Sequence, residues 1–241
     1  MRLPVIEGII RRRILVNYRV DPQVIQTVLP SRFKPKLHEG QAIAGICLIR
    51  LEHIRPKMLP EIVGINSENA AHRIAVLWDD ENGATQEGVF IPRRDTGSEI
   101  NHLLGGRVFP GEHHKAEFDI QESESEIEFS MKSVDGDVAV KIVGKISDEL
   151  PQTSIFHSLR EASSFFETGS LGYSATGDEN RLDGVTLKTK EWRVEPLEVE
   201  TVFSSYFADE QKFPKGSAEF DHALIMRNIA HEWHSASDLY I

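Results

Sequence analysis

Cysteine is almost missing from this chain: the 241 residues include one, Cys47. No intrachain disulfide can form, and a cysteine-built zinc cluster is excluded. Cys47 lies inside the apolar run AIAGICLIRL, where the expected role is that of a buried small hydrophobe. Basic charge is scarce too, with 27 Lys and Arg against 38 Asp and Glu and a net charge of −11. Non-specific nucleic-acid binders and anionic-membrane binders need a basic surface, so neither partner is expected. A small anionic ligand in a local arginine pocket remains compatible with this balance. No apolar run approaches membrane-spanning length, and the N-terminus shows no signal-peptide apolar core, so a cytoplasmic location is expected. GxSxG, GxGxxG and the P-loop are all absent, so neither an elbow-type serine nucleophile nor a nucleotide cofactor is indicated, and no cofactor is expected. No Gly/Ser/Pro-rich linker or internal repeat divides the chain, and residues 1–241 read as a single domain.

What is present is mostly strand. RRRILVNYRV at 11–20 alternates as a two-residue period requires, placing Arg11 and Arg13 on one side and Arg12 on the other. Asp21 can cap a short helix with Pro22 in its first turn, and Pro30 ends that helix. Residues 42–51 are nearly all apolar and predict a central strand covered on both faces. Asn82-Gly83 and Asp135-Gly136 predict tight turns between strands. A second helix is expected from Ser158 to Thr168, presenting Leu159, Ala162, Phe165 and Phe166, and one or two helical turns over Ser98 to Leu104. The C-terminal segment around 223–233 reads as a strand with Ile225, Arg227, Ile229, His231 and Trp233 on one side. Nine or ten strands with two or three short helices imply a mainly β, closed or strongly curved architecture.

Two constellations carry chemistry. Arginines recur at Arg11, Arg73, Arg93, Arg94 and Arg107. Arg73 alternates with apolar Ala75 and Leu77, and a guanidinium pointing with apolar side chains calls for an anionic partner. Arg93-Arg94-Asp95 reads as a solvated loop, and Arg107 lies beside the Gly105-Gly106 turn. Histidines form the other set. His231 and His234 in HEWH are three apart, unlike the four of HExxH, and on a strand they face opposite ways, as do His113 and His114. No metal site is expected from them. His102, in INHLLGG, is a candidate pocket acid-base group or a helix-end cap.

Taken together, RRRILVNYRVDPQVIQTVLP, GQAIAGICLIRL, INSENAAHRIAVLW and GGRVFPGEHHKAEF resemble the acetoacetate decarboxylase-like superfamily, and within it the YqjF-like or DUF2071 branch. GYSATGDENRLDGVTL and DHALIMRNIAHEWH add weaker support. The resemblance spans most of the chain and implies a β-barrel or cone enclosing a pocket, usually in a homo-oligomer. It further implies a pocket arginine at Arg11, by its distance from Tyr18-Arg19 and Asp21. It implies a pocket glutamate at Glu68, which from NSENAAHR alone would read as an exposed carboxylate.

True decarboxylases of that superfamily use a lysine that forms a Schiff base with a β-keto acid, its pKa lowered by a neighbouring lysine. That pair follows an aromatic-proline dipeptide, whereas here Phe109-Pro110 is followed by Gly111-Glu112. Lys115 lies among acids that favour its ammonium and reads as a surface group. Imine decarboxylation is therefore not expected. The resemblance leaves a pocket for a small organic acid with Glu68 as proton carrier and Arg11, Arg73, Arg107 and His102 as ligand contacts. Two functions stay open: non-imine chemistry such as enolisation, hydration, dehydration or aldol-type reaction, and non-catalytic binding or sensing.

Overall fold

The computed structural model describes residues 4–99 and 110–241. The long strands run Ile6–Val20 (β1), Gln41–Pro56 (β4), Ile65–Asp79 (β5), Thr85–Thr96 (β6) and Ala218–Ser235 (β13). Between them lie Lys34–Pro35 (β2) and Leu37–His38 (β3), then His113–Glu122 (β7), Glu126–Ser133 (β8) and Ala139–Ile146 (β9). Leu171–Ala175 (β10), Arg181–Thr189 (β11), Glu195–Ser204 (β12) and Leu239–Tyr240 (β14) complete the sheet. Helix α1 spans Pro22–Val28 and α2 spans Leu159–Glu167.

All of these strands belong to one sheet, and its pairings close it twice. One closure runs β6-β7-β8-β9-β12-β13-β1-β4-β5 and returns to β6, a nine-stranded barrel. The other uses β10 and β11: β10 pairs β6 in parallel and β11 pairs β13, which closes a seven-stranded ring. The strands β13, β1, β4, β5 and β6 are common to both and form a shared wall. Both faces of that wall are covered, which is why 42–51 is continuously apolar instead of alternating. Ile14, Val16, Ile46, Leu48 and Ile74 pack inside the larger barrel, and Leu15, Ile43, Cys47 and Ala75 face the smaller ring.

The alternation expected through the first strand does not hold at its start. The register of β1 on β4 slips between Ile10 and Arg12, so Arg11 is the extra residue of a bulge. Ile10 consequently joins the same core as Leu15, and Ile14 joins the opposite one. Asn228 lies opposite Arg11 on β13 with φ of 59°, and it accepts a 2.8 Å hydrogen bond from the Arg11 guanidinium. The same irregularity corrects the C-terminal strand. Ile225 packs in the larger barrel while Ile229 and Trp233 pack with the other core, so they do not share one side. His53, with φ of 56°, shifts β4 against β5 in the same zone.

The local signals act as read elsewhere. The Asp21 side chain accepts from the Gln23 N–H at 2.8 Å, with Pro22 opening α1. Ser158 accepts from the Glu161 N–H at 3.2 Å, and Glu161 in turn accepts from the His157 N–H at 2.7 Å, a variant of the capping box. Helix α2 buries Ala162 and Phe166 against the smaller ring. Gly83 and Gly136 take the positive φ that their hairpin turns require. The turns expected over Ser98 to Leu104 extend outside the described residues.

Candidate functional site

The smaller ring encloses a cavity of about 130 Å³. Every one of its seven strands contributes to the lining: Arg13, Cys47, Arg73, Arg94, Gly172, Leu187 and Trp233 come from β1, β4, β5, β6, β10, β11 and β13 in turn. Ile49, Leu51, Val89 and Ile91 supply apolar wall, and Ser67, Asn69 and His113 add polar groups.

Three guanidinium groups converge there. Arg73 is 4% exposed, wedged between Ala71 and Ala75 on the covered face of β5. It donates a short hydrogen bond to Asn17 Oδ1, lies 4.8 Å from the centre of the Phe166 ring, and leaves its Nε without a hydrogen-bond partner. Arg94 donates from Nε to Ser174 Oγ at 3.0 Å, and Arg13 from Nε to Cys47 Sγ at 3.1 Å. Burial lowers the pKa of both Arg73 and Arg94 to about 10, the direction expected when a cation lacks an anion close by. Among the described residues no carboxylate lies within ion-pair distance of Arg13, Arg73 or Arg94. Residues 100–109, INHLLGGRVF, contain no acid either. Asp95 borders the cavity, but Arg93 holds it at 2.9 Å.

A buried relay fixes Arg73. Arginine can only donate, so the Asn17 amide must turn its oxygen to Arg73 and its nitrogen to His222 Nε2, 3.0 Å away. His222 Nε2 must then accept, which places the ring proton on Nδ1, bonded to Asp221 Oδ2 at 2.6 Å. Burial lowers the His222 pKa against the opposing pull of Asp221, so the ring is neutral as this chain of bonds demands. Burial raises the Asp221 pKa, but the bonds from His222, Ser154 Oγ and the Ile155 N–H outweigh it and keep the carboxylate ionised.

The anticipated site residues divide. Arg73 lines the cavity. Arg11 does not: as the bulge residue it turns to the exterior, with its side chain 45% exposed and paired to Glu52 at 2.6 Å. Glu68 does not line it either, since it sits on the opposite face of the shared wall. One of its oxygens meets Arg12 at 2.6 Å and the other takes a short bond from Arg50, while Glu122 binds both arginines. Arg12 is 1% exposed, and this four-charge cluster neutralises a buried cation inside the larger barrel, with the Arg12 Nε left without a hydrogen-bond partner. His102 and Arg107 lie outside the described residues. Lys115 pairs with Glu99 with its side chain 42% exposed, as its surface reading expects.

Arg13, Arg94 and Cys47 went unassigned for identifiable reasons. Arg13 faces the cavity on the side of Leu15, as the alternation from Arg12 onward requires, while the bulge removes Arg11 from that row. Arg94 was expected on a solvated loop, but β6 continues through Thr96 and its parallel partner β7 begins opposite it at His113. Cys47 looked like one more apolar residue, and only the position of Arg13 across β1 marks it.

The family model of DUF2071, described as an uncharacterized conserved protein, matches residues 10–229. No curated protein matches. Among solved structures, an acetoacetate decarboxylase-like enzyme from Sphingomonas wittichii is similar with a TM-score of 0.59 at 11% identity, covering 99% of this chain and 93% of that one. An acetoacetate decarboxylase from Legionella pneumophila is similar with a TM-score of 0.58 at 14% identity, covering 98% and 88%. The enduracididine biosynthesis enzyme MppR, complexed with pyruvate, is similar with a TM-score of 0.57 at 11% identity, covering 96% and 88%.

Proposed function

From the premise that the chain belongs to the DUF2071 family and has the acetoacetate decarboxylase-like fold, we propose that its seven-stranded ring binds a small organic acid. The carboxylate is held by Arg13, Arg73 and Arg94, and the short carbon skeleton rests on Ile49, Leu51, Ile91 and Trp233. The observation that carries this reading is the buried Arg73 guanidinium, with the half-buried Arg13 and Arg94 beside it in the lining and, among the described residues, no carboxylate within ion-pair distance of any of them. Leaving such charge uncompensated in a low-dielectric interior is costly, and a ligand carboxylate supplies the missing anion. The pyruvate complex of MppR, a protein of similar fold, is compatible with a ligand of this class.

No lysine lines the cavity among the described residues, so no amine there forms an imine with a keto acid. That favours binding or sensing over the decarboxylase reaction. Non-imine chemistry would draw on His113 for proton handling, since both carboxylate oxygens of Glu68 are committed elsewhere. Thermal unfolding with acid and amide pairs tests the reading. Pyruvate and propionate should raise the melting temperature, and propionamide should not. Equal responses to propionate and propionamide would refute the arginine clamp. Turnover of whichever acid stabilises the protein then separates an enzyme from a binder.

A further inference from the structure

The only cysteine of the chain lies in the wall of the proposed acid-binding cavity, and nothing in the clamp described so far uses it. Its sulfur accepts from Arg13 Nε at 3.1 Å, so it shares an arginine with the carboxylate site. A second, independent feature points to an occupant beside it: Arg73, 4% exposed, borders the same cavity with its Nε unpartnered. Reactive cysteines occupy electropositive sites that a reagent can reach, and Cys47, 8% exposed, is reached through the cavity it lines, where the same charges draw an anionic electrophile. The lysine nucleophile of the decarboxylases has no counterpart in the described lining, whereas a thiol does.

We infer that Cys47 is a nucleophilic residue that captures the carbonyl of a 2-oxo acid as a reversible thiohemiketal while the arginines hold the carboxylate. The sulfur adds to C2, forming the S–C bond. The carbonyl π bond opens onto its oxygen, and the thiol proton ends on that oxygen as a hydroxyl. Nothing leaves, and no oxidant or reductant takes part. The proposal rests on the acid-binding reading but adds a covalent bond that simple binding lacks. It also narrows the ligand class to acids with a carbonyl next to the carboxylate.

The test uses the full chain with [2-13C]pyruvate, followed by 13C NMR, and propionate as an acid with no carbonyl. The expected result is a protein-bound tetrahedral C2 resonance in the wild type that is lost in Cys47→Ala, while propionate still raises the melting temperature of both proteins. Cys47→Ser, which keeps the volume with a far weaker nucleophile, gives the same reading should the alanine variant fold poorly. In the wild type, carboxymethylation of Cys47 by iodoacetate, relative to iodoacetamide and normalised to free cysteine, should be faster by about tenfold or more. Pyruvate that binds wild type and variant alike with its C2 remaining a ketone would overturn the covalent step and leave the acid site standing. If neither pyruvate nor propionate stabilised the wild type, the acid site itself would fall, and the covalent step with it.

Discussion

Arg73 shows how one residue can be costly to the fold and useful to the site. Its guanidinium is buried beside Phe166 with a single hydrogen bond, to Asn17, and no anion. Arg73→Met keeps the bulk and removes the charge, so it should raise the melting temperature of the ligand-free protein while weakening pyruvate binding by about 2 kcal/mol, roughly thirty-fold. Thermal unfolding and titration calorimetry on the same preparation read both effects, and a variant that binds as well as the wild type would remove Arg73 from the clamp. Glu68 should behave in the opposite way. Breaking its bond to the enclosed Arg12 is expected to destabilise by about 3 kcal/mol in Glu68→Gln, with acid binding retained. Urea unfolding checks the first half, and loss of binding in a folded Glu68→Gln would restore a site role to the carboxylate. Arg73 was legible in the sequence because it alternates with apolar residues. The resemblance implied a pocket role for Glu68 alongside Arg11, but its partners are Arg12 and Arg50, and no local pattern distinguishes the two faces of a strand whose sides are both covered.

At the scale of elements, capping and turn chemistry could be read directly, because each signal is local: Asp21-Pro22, Ser158 with Glu161, Asn82-Gly83 and Asp135-Gly136. The bulges could not. Arg11 carries no mark of being an extra residue, and its counterpart Asn228 takes a φ of 59° that asparagine tolerates without demanding. The bulge takes Arg11 out of the row that Arg13 shares with Leu15, so the arginine lining the cavity is Arg13 and not Arg11. Asn228→Gly should be tolerated within a few tenths of a kcal/mol beyond the loss of the Arg11 contact. Asn228→Val should cost about 1–3 kcal/mol, because a β-branched residue is strained there. Chemical denaturation of the two variants distinguishes them, and equal stabilities would contradict the importance of the bulge.

For the whole molecule, β13 is the strand on which both closures depend. It pairs with β1, β11 and β12, so a chain ending at Phe220 loses most of a strand common to both rings. That truncation should be insoluble or unfolded, and a soluble product with unchanged β-type circular dichroism would refute the shared-wall architecture. Acid sensitivity is a second property of the whole. Burial lowers the pKa of His72 to about 3 and of His231 to about 4, and lowers that of His222 as well. These rings are neutral when folded and take up protons near pH 6.5 when unfolded. The contribution of His72 and His231 is therefore complete above about pH 6.5 and is lost as pH falls from there towards their folded values, at about 1.4 kcal/mol per pH unit for each of these two rings, and His222 acts in the same direction. His72→Phe should flatten that slope by one proton between pH 6 and 4, and an unchanged slope would mean that His72 does not titrate on unfolding. The mainly β, closed architecture was legible from the order of the strand motifs. The second closure was not, because β10 and β11 are short and meet partners distant in sequence, β6 and β13.

Arg13, Arg73 and Arg94 are proposed to form a carboxylate site inside the seven-stranded ring. A crystal structure of the full chain soaked with pyruvate tests it most directly. Density is expected in that cavity with carboxylate oxygens within hydrogen-bond distance of Arg73 and Arg94. An empty cavity at saturating pyruvate, or pyruvate bound elsewhere with those guanidinium groups untouched, would contradict it.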